Sequence, residues 1–180
     1  AQEIFNEDEK EEGKGAKVLR AIGELRKIAF SPFASKFTES LPKSKYKEFV
    51  EDSPKIKLLM ELIKQNKKDR PEAGQIVYSE VGVDYLPHMK EYLVNVLGFK
   101  SEQVEIISGA TPKDKRPEIQ DAYNEGKVKV ILGSEAIKEG MNLQTNTTDL
   151  YILSLPWNFT QLRQVIGRAW RQGNMWSNVR

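Results

Sequence analysis

The stretch Val128-Lys129-Val130-Ile131-Leu132-Gly133-Ser134-Glu135-Ala136-Ile137-Lys138-Glu139-Gly140-Met141-Asn142-Leu143 decides the fold. Val128–Leu132 is a short apolar run that reads as a buried strand, and it passes directly into a loop bracketed by Gly133 and Gly140. Outward from this point the pattern repeats. Gln75–Ser79, Val104–Ile107 and Leu150–Leu153 are further short apolar runs, and Ile76-Val77-Tyr78 is too apolar for a surface edge. Helical stretches lie between them. One runs from Ser53-Pro54, an N-cap followed by Pro at the first helical position, to about Lys67, with Leu58, Leu59, Leu62 and Ile63 inward. Residues 84–97 form a second, closed by Gly98, and Thr111-Pro112 starts a third that ends at Gly126. Strand alternating with helix predicts an α/β fold, a mostly parallel sheet covered by helices on both faces.

The amino-terminal third differs. Residues 1–13 are acidic and expected to fray. Residues 15–30 read as a helix with Val18, Ile22, Leu25 and Ala29 on one side. Residues 31–52 read as a connection with one short helix around Lys45–Val50. The expected division is an acidic tail plus helical brace over 1–52 and an α/β lobe over 53–180. The start at Ala1 and the stop soon after an arginine-bearing helix suggest a piece of a longer protein.

Composition sets bounds. The chain has 180 residues, 39% of them hydrophobic and 30% charged, enough for one packed domain with an appended element. A net charge of +2 does not by itself argue for nucleic acid, but its distribution is uneven. Residues 1–12 carry six acids and one Lys, whereas residues 159–180 carry four Arg and no acid. With no Cys there are no disulfides or thiolate metal sites, and an intracellular setting (cytoplasmic or nucleoid-associated) is expected. His88 is the only histidine. It is expected at the surface or as a cap.

In open parallel sheets, ligands bind beyond the carboxyl ends of the strands. Two loops leave that edge. In 133–143, Gly133 and Gly140 let backbone approach a ligand, Ser134 can donate to a phosphate, and Asn142 can donate and accept. Ordinary turn chemistry accounts for the same residues, so for this loop alone both readings stand. The second loop, Ser154 to Thr160, leads into Gln164-Val165-Ile166-Gly167-Arg168-Ala169-Trp170-Arg171. Asn158 or Thr160 would cap this helix. Leu162, Val165, Ile166 and Ala169 gather on one side, with Gln164, Arg168 and Arg171 nearly opposite. Arginines three apart are usually a solvated face. Here they lie beside a second phosphate-friendly loop, and a guanidinium offers a planar fork of donors suited to phosphate oxygens. Trp157 and Phe159 could stack on bases; packing is the expectation for Phe159, and for Tyr78, Tyr85 and Tyr92.

Taken in order, these segments resemble the second, C-terminal RecA-like lobe of superfamily 2 helicases and translocases, most of all the Swi/Snf-type ATPases. Leu25-Arg26-Lys27-Ile28 with Pro32-Phe33 resembles the segment that precedes that lobe, and Ser53–Leu59 its first helix. Gln75–Ser79 resembles motif IV. Ser108-Gly109-Ala110-Thr111, with Arg116, resembles an Asp-Gly-Ser-Thr…Arg segment. Ser134–Leu143 resembles motif V, and Pro156-Trp157-Asn158 with Gln164–Arg171 resembles motif VI and its lead-in. The departures are Ile137-Lys138 where two glycines are common, Ser108 for Asp, and Trp170 for His.

The resemblance implies roles. Arg168 and Arg171 match arginines that reach the γ-phosphate of a nucleotide across a cleft. Gln164, Gly140 and Asn142 match residues near the nucleotide. Ser134, and more weakly Gly109 and Thr111, match contacts to a nucleic-acid backbone. ATP and Mg²⁺ would be held mainly by a first RecA-like lobe that this chain lacks, since it contains no Gly-x-x-x-x-Gly-Lys-[Ser/Thr] run and no strand ending in an acidic pair. The expected partners are that lobe and DNA, duplex or single-stranded, with no membrane, and the lobe alone is expected to be catalytically silent. Two alternatives remain: a non-catalytic α/β docking module for protein or nucleic acid, and half of a nucleotide-sugar transferase.

Overall fold

The structure, a computed structural model, describes residues 13–180; the acidic start lies outside the described residues. Four strands, β1 (Gly74–Tyr78), β2 (Val104–Ile107), β3 (Val130–Gly133) and β4 (Thr147–Ile152), pair in the order β2-β3-β1-β4. Every pairing is parallel, with Val77 opposite Leu132 and Tyr151, and Ile106 opposite Leu132. Around the sheet lie α1 (Lys14–Phe30), α2 (Tyr46–Glu51), α3 (Pro54–Asp69), α4 (Leu86–Asn95), α5 (Lys115–Asn124) and α6 (Phe159–Ala169).

The pleat sends alternate strand residues to opposite faces, and each face has its own core. Val77, Val104, Val130 and Leu132 pack with Ile56, Leu59, Ile63, Leu86, Met89 and Leu93 of α3 and α4. Ile76, Ile107 and Ile131 pack with Tyr123 of α5 and Ala169 of α6. The sheet is therefore helix-covered on both faces. Phe30, Phe49 and Val50, from the segment ahead of residue 53, belong to the first of these cores.

Several expectations change. Val18, Ile22, Leu25 and Ala29 do share one side of α1, but that side faces solvent, with Val18 47% exposed. The buried residues of α1 are Ala21, Glu24 and Phe30. Glu24 is held there by Lys27, the Ser35 hydroxyl and the Lys36 amide. On α3, Leu59 and Ile63 are inward as expected, but Leu58 and Leu62 are exposed. The buried stripe runs through Ile56, Leu59, Met60, Ile63 and Asn66, the i, i+3, i+4, i+7 spacing of one helix face. Leu59→Ala is thus expected to destabilise by about 2–5 kcal/mol and Leu58→Ala by at most about 0.5 kcal/mol, as read by urea unfolding.

The Ser53 hydroxyl does not cap α3; it bonds the buried Ser31 hydroxyl at 2.7 Å. α5 begins at Lys115, later than expected, because Thr111 is spent on a turn: its hydroxyl accepts from the Ser108 amide and donates to the Ile106 carbonyl. β4 starts three residues earlier than its apolar run. Thr147 and Thr148 are buried there with partners, Tyr123 hydroxyl for one and Asn66 for the other. His88 is not a surface residue. It is 3% exposed, packed against Phe49 and Tyr85, with Nε2 near the carbonyls of Leu41 and Pro42. Tyr78, Tyr85 and Tyr92 are buried packing residues, whereas Phe159, the first residue of α6, is 71% exposed. No helix among the described residues is long and apolar enough to cross a membrane.

Candidate functional site

The carboxyl ends of all four strands open onto one edge, and the loops that leave it carry the candidate residues. β3 ends at Gly133, where a Cβ would collide with the side chain of Ile137, so glycine lets the loop fold back tightly onto the strand. Ser134 is buried, its amide bonded to the Ile107 carbonyl at the end of β2. A short 3₁₀ turn, Glu135–Lys138, follows, and Gly140 adopts φ +82 to redirect the chain. The Asn142 amide then donates to Gln120 Oε1, and its carbonyl accepts from Asn124, so α5 fixes the far end of the loop.

Asn158 caps α6: its Oδ1 accepts from the Gln161 amide at 2.9 Å. Val165 and Ala169 are the buried residues of this helix. α6 stops at Ala169. Trp170 is extended, so Arg171 stands beyond the helix and not on it, a correction to the expected register. Trp170 is largely exposed.

Both arginines turn toward the 134–143 loop. Arg168 Nη2 donates to the Lys138 carbonyl at 3.0 Å, and the Arg168 carbonyl accepts from the Leu143 amide. Arg171 Nη1 donates to Asn142 Oδ1 at 3.1 Å and is otherwise exposed. Among the described residues neither guanidinium is paired with a carboxylate. Gln164 is exposed one turn before Arg168. Arg168, Arg171, Asn142 and Gly140 are thus brought to one place. A cleft of about 400 Å³ between Lys113, Arg116, Gln120, Gly140 and Asn142 adjoins it.

The other group separates. Ser134 and exposed Gly109 line a second cleft of about 300 Å³ with Glu80, Arg116, Glu135 and Glu139. Thr111 does not line it, and its hydroxyl is already committed within its own turn. Arg116 is clamped to Glu139 at 2.7 Å, which holds the Glu139 carboxyl below the usual range.

The residues matching the model of the helicase conserved C-terminal domain run from 54 to 173, two-thirds of the chain. The chain belongs to the helicase conserved C-terminal domain family. Among curated proteins, the chain is similar to two from Acanthamoeba polyphaga mimivirus whose names assign them, by inference only, as ATP-dependent RNA helicases. One is 42% identical over 69 residues, covering 38% of this chain and 15% of that protein; the other is 36% identical over 72 residues, covering 37% and 12%. The chain spans less than a sixth of the length of either.

Solved structures extend the likeness over nearly the whole chain. The SWI2/SNF2 ATPase core of Sulfolobus solfataricus in complex with double-stranded DNA superposes with a TM-score of 0.71 at 20% identity, over 99% of this chain and 35% of that one. The C-terminal part of the Fun30 ATPase domain gives 0.61 at 21% identity, over 98% and 56%. Domain 2 of the Mss116p DEAD-box helicase, bound to an RNA duplex, gives 0.56 at 20% identity, over 68% and 47%. The fold is the α/β RecA-like fold that these ATPase and helicase domains share.

One feature of the helicase domain has no signal in the sequence. Glu80, immediately after β1, is buried to 9% side-chain exposure and accepts from Tyr78 Oη at 2.7 Å, Lys138 Nζ at 3.1 Å and Arg26 Nη2 at 3.5 Å. Burial pushes its carboxyl up. The hydrogen bonds from Tyr78 and Lys138, and the Lys138 charge, outweigh burial and leave it below the usual carboxylate range. Tyr78 responds in the opposite sense: burial first, then the Glu80 carboxylate, drives its hydroxyl far above the ordinary value. Nothing in spacing or periodicity joins positions 26, 80 and 138.

The donors in one part of this site are of the kind that a nucleotide polyphosphate would need. Among the described residues the guanidinium groups of Arg168 and Arg171 bond neutral oxygens, so their charge is available to phosphate. Among the described residues no group of three or more His, Cys, Asp or Glu side chains is arranged to hold a metal ion. No step in this chain is assigned to a metal.

Proposed function

We propose that this chain is the second motor lobe of an ATP-driven nucleic-acid translocase or helicase, and that Arg168 and Arg171 are its arginine fingers. The observation that carries the reading is the convergence of these two guanidinium groups on the 134–143 loop at the carboxyl edge of the sheet, each bonded to a neutral acceptor. Positive charge delivered there stabilises the charge that develops on the transferring phosphoryl oxygens. The cradle for the phosphates, and the groups that orient water and hold Mg²⁺, belong to a first lobe. ATP lies between the lobes, and closure brings the arginines onto the γ-phosphate. Alone, this lobe is catalytically silent.

Gly109, exposed, and Ser134, deeper in the neighbouring cleft that both line, are the contacts to a nucleic-acid backbone. Both touch phosphate or sugar without reading bases, as a motor needs. DNA is the partner of first choice, and the RNA helicase name of the viral relatives and the RNA duplex on the Mss116p domain put RNA in the same assay.

In a two-lobe protein containing this chain, ATP turnover is expected to rise on addition of duplex DNA or RNA. Affinity for the stimulating strand is expected to fall steeply between about 50 and 200 mM salt, as phosphate contacts require. A two-lobe protein whose ATP turnover is indifferent to both nucleic acids overturns the proposal.

A further inference from the structure

We propose that Glu80 and Arg26 are positioning residues through which the amino-terminal helix α1 sets the orientation of Arg168. This deepens the arginine-finger reading and rests on it. The connections are all within the described chain. Arg26, on α1, donates through Nη2 to the Leu155 carbonyl at 2.6 Å, in the loop that leads into α6. Its guanidinium lies 4.4 Å from the centroid of the Trp157 ring in the same loop, and 3.5 Å from Glu80. One side chain of α1 therefore grips both the lead-in to α6 and the end of β1.

Glu80 passes the constraint on. Its other oxygen holds Lys138 Nζ at 3.1 Å. Lys138 is also bonded to Glu135 at 3.2 Å, which straps the 3₁₀ turn to itself. The Lys138 carbonyl is the acceptor of the Arg168 guanidinium. Releasing Lys138 Nζ loosens the 3₁₀ turn that presents the carbonyl to Arg168. α1 is itself anchored one turn further on: Phe30 is buried against Gly82, in the loop that begins with Glu80.

The ion pairs here are well suited to hold geometry. The side chains of Glu80 and Lys138 are about nine-tenths buried, so their attraction is weakly screened and both groups lack water as an alternative partner. Glu80→Gln keeps the shape and loses the charge. Tyr78 can still donate to the amide oxygen, but Lys138 and Arg26 lose their anion. A small change in the Arg168 position is costly only where its charge meets the transition state, so the effect belongs in kcat and not in KM.

Two measurements test this separately. In this chain alone, the side-chain ¹⁵N resonances of Arg168 are followed by NMR. Glu80→Gln and Arg26→Ala are each expected to shift and broaden them, while the backbone spectra of β2 and α5 stay as in the wild type. Unchanged Arg168 resonances in both variants overturn the positioning role. In the two-lobe protein, Glu80→Gln is expected to lower kcat roughly 10- to 100-fold with KM for ATP within about threefold, since misplacing a catalytic group by about 1 Å costs that much. Wild-type kcat in Glu80→Gln, alongside a strongly impaired Arg168→Ala, also overturns it. If Arg168→Ala itself turns over ATP normally, the finger reading fails, and the NMR result alone then decides whether α1 orients Arg168.

Discussion

Arg171→Ala and Arg168→Ala, each in a two-lobe protein containing this chain, are expected to lower ATP turnover by about 10³-fold or more, the scale of a finger in phosphoryl transfer. The expectation rests on what the two guanidinium groups touch. A guanidinium locked to a buried carboxylate would bring no net charge to a nucleotide. Arg168 bonds a main-chain carbonyl and Arg171 a side-chain amide oxygen, and both acceptors are neutral. A γ-phosphate would exchange a weak acceptor for a strong one. The two need not fall equally. Arg168 is held at both its guanidinium and its carbonyl, whereas Arg171 lies past the end of α6 and is held through its guanidinium by Asn142.

Substitution by Lys keeps charge but loses the fork, and should recover only part of the rate. Arg163→Ala, exposed on the same helix, serves as the control and is expected to stay within about twofold of the wild type. Steady-state ATP hydrolysis with saturating nucleic acid is the measurement. Normal turnover in both Arg168→Ala and Arg171→Ala refutes the assignment.

The second large effect concerns stability. Gly82→Ala is expected to destabilise the domain by about 2–4 kcal/mol. Two costs combine. Gly82 has φ +68, where a Cβ is penalised by about 1–2 kcal/mol. A Cβ there would also enter the ring of Phe30, whose Cζ would stand 2.7 Å away, and overpacking of this kind costs about 1–3 kcal/mol. Phe30 is 1% exposed within the first core and is a ring, so it has little freedom to yield. Gly140→Ala isolates the first cost, because Gly140 has φ +82 and open space around its Cα; it should lose only about 1 kcal/mol. Thermal unfolding reads both, with the Gly82→Ala midpoint expected roughly 5–15 °C below that of the wild type. Equal midpoints for the two variants would mean that Phe30 does not seat on Gly82.

Much of the architecture could be read along the chain. Ile76-Val77-Tyr78, Val104–Ile107 and Val130–Leu132 are short, apolar and punctuated by glycine or turn residues, which is enough to mark buried parallel strands. The misreadings share one cause. Leu58, Leu62 and the Val18–Leu25 side of α1 look like core because they are apolar. His88 looks like surface because it is polar. Which apolar stripe is covered, and which polar group finds a partner in the interior, depends on neighbours distant in sequence. Ser53 finding Ser31, and Asn66 finding Thr148, are examples.

The sequence by itself determined the order of elements, the two loops at the carboxyl edge and the candidate residues Arg168, Arg171 and Asn142, because periodicity and residue chemistry are local properties. Only the tertiary structure decided that α6 ends before Arg171, that the Lys138 carbonyl receives Arg168, and that a carboxylate at position 80 ties α1 to that loop. These are contacts across 30 to 58 residues of chain. They exist because the parallel sheet brings the ends of β1, β3 and β4 side by side, and no pattern within any one segment encodes that adjacency.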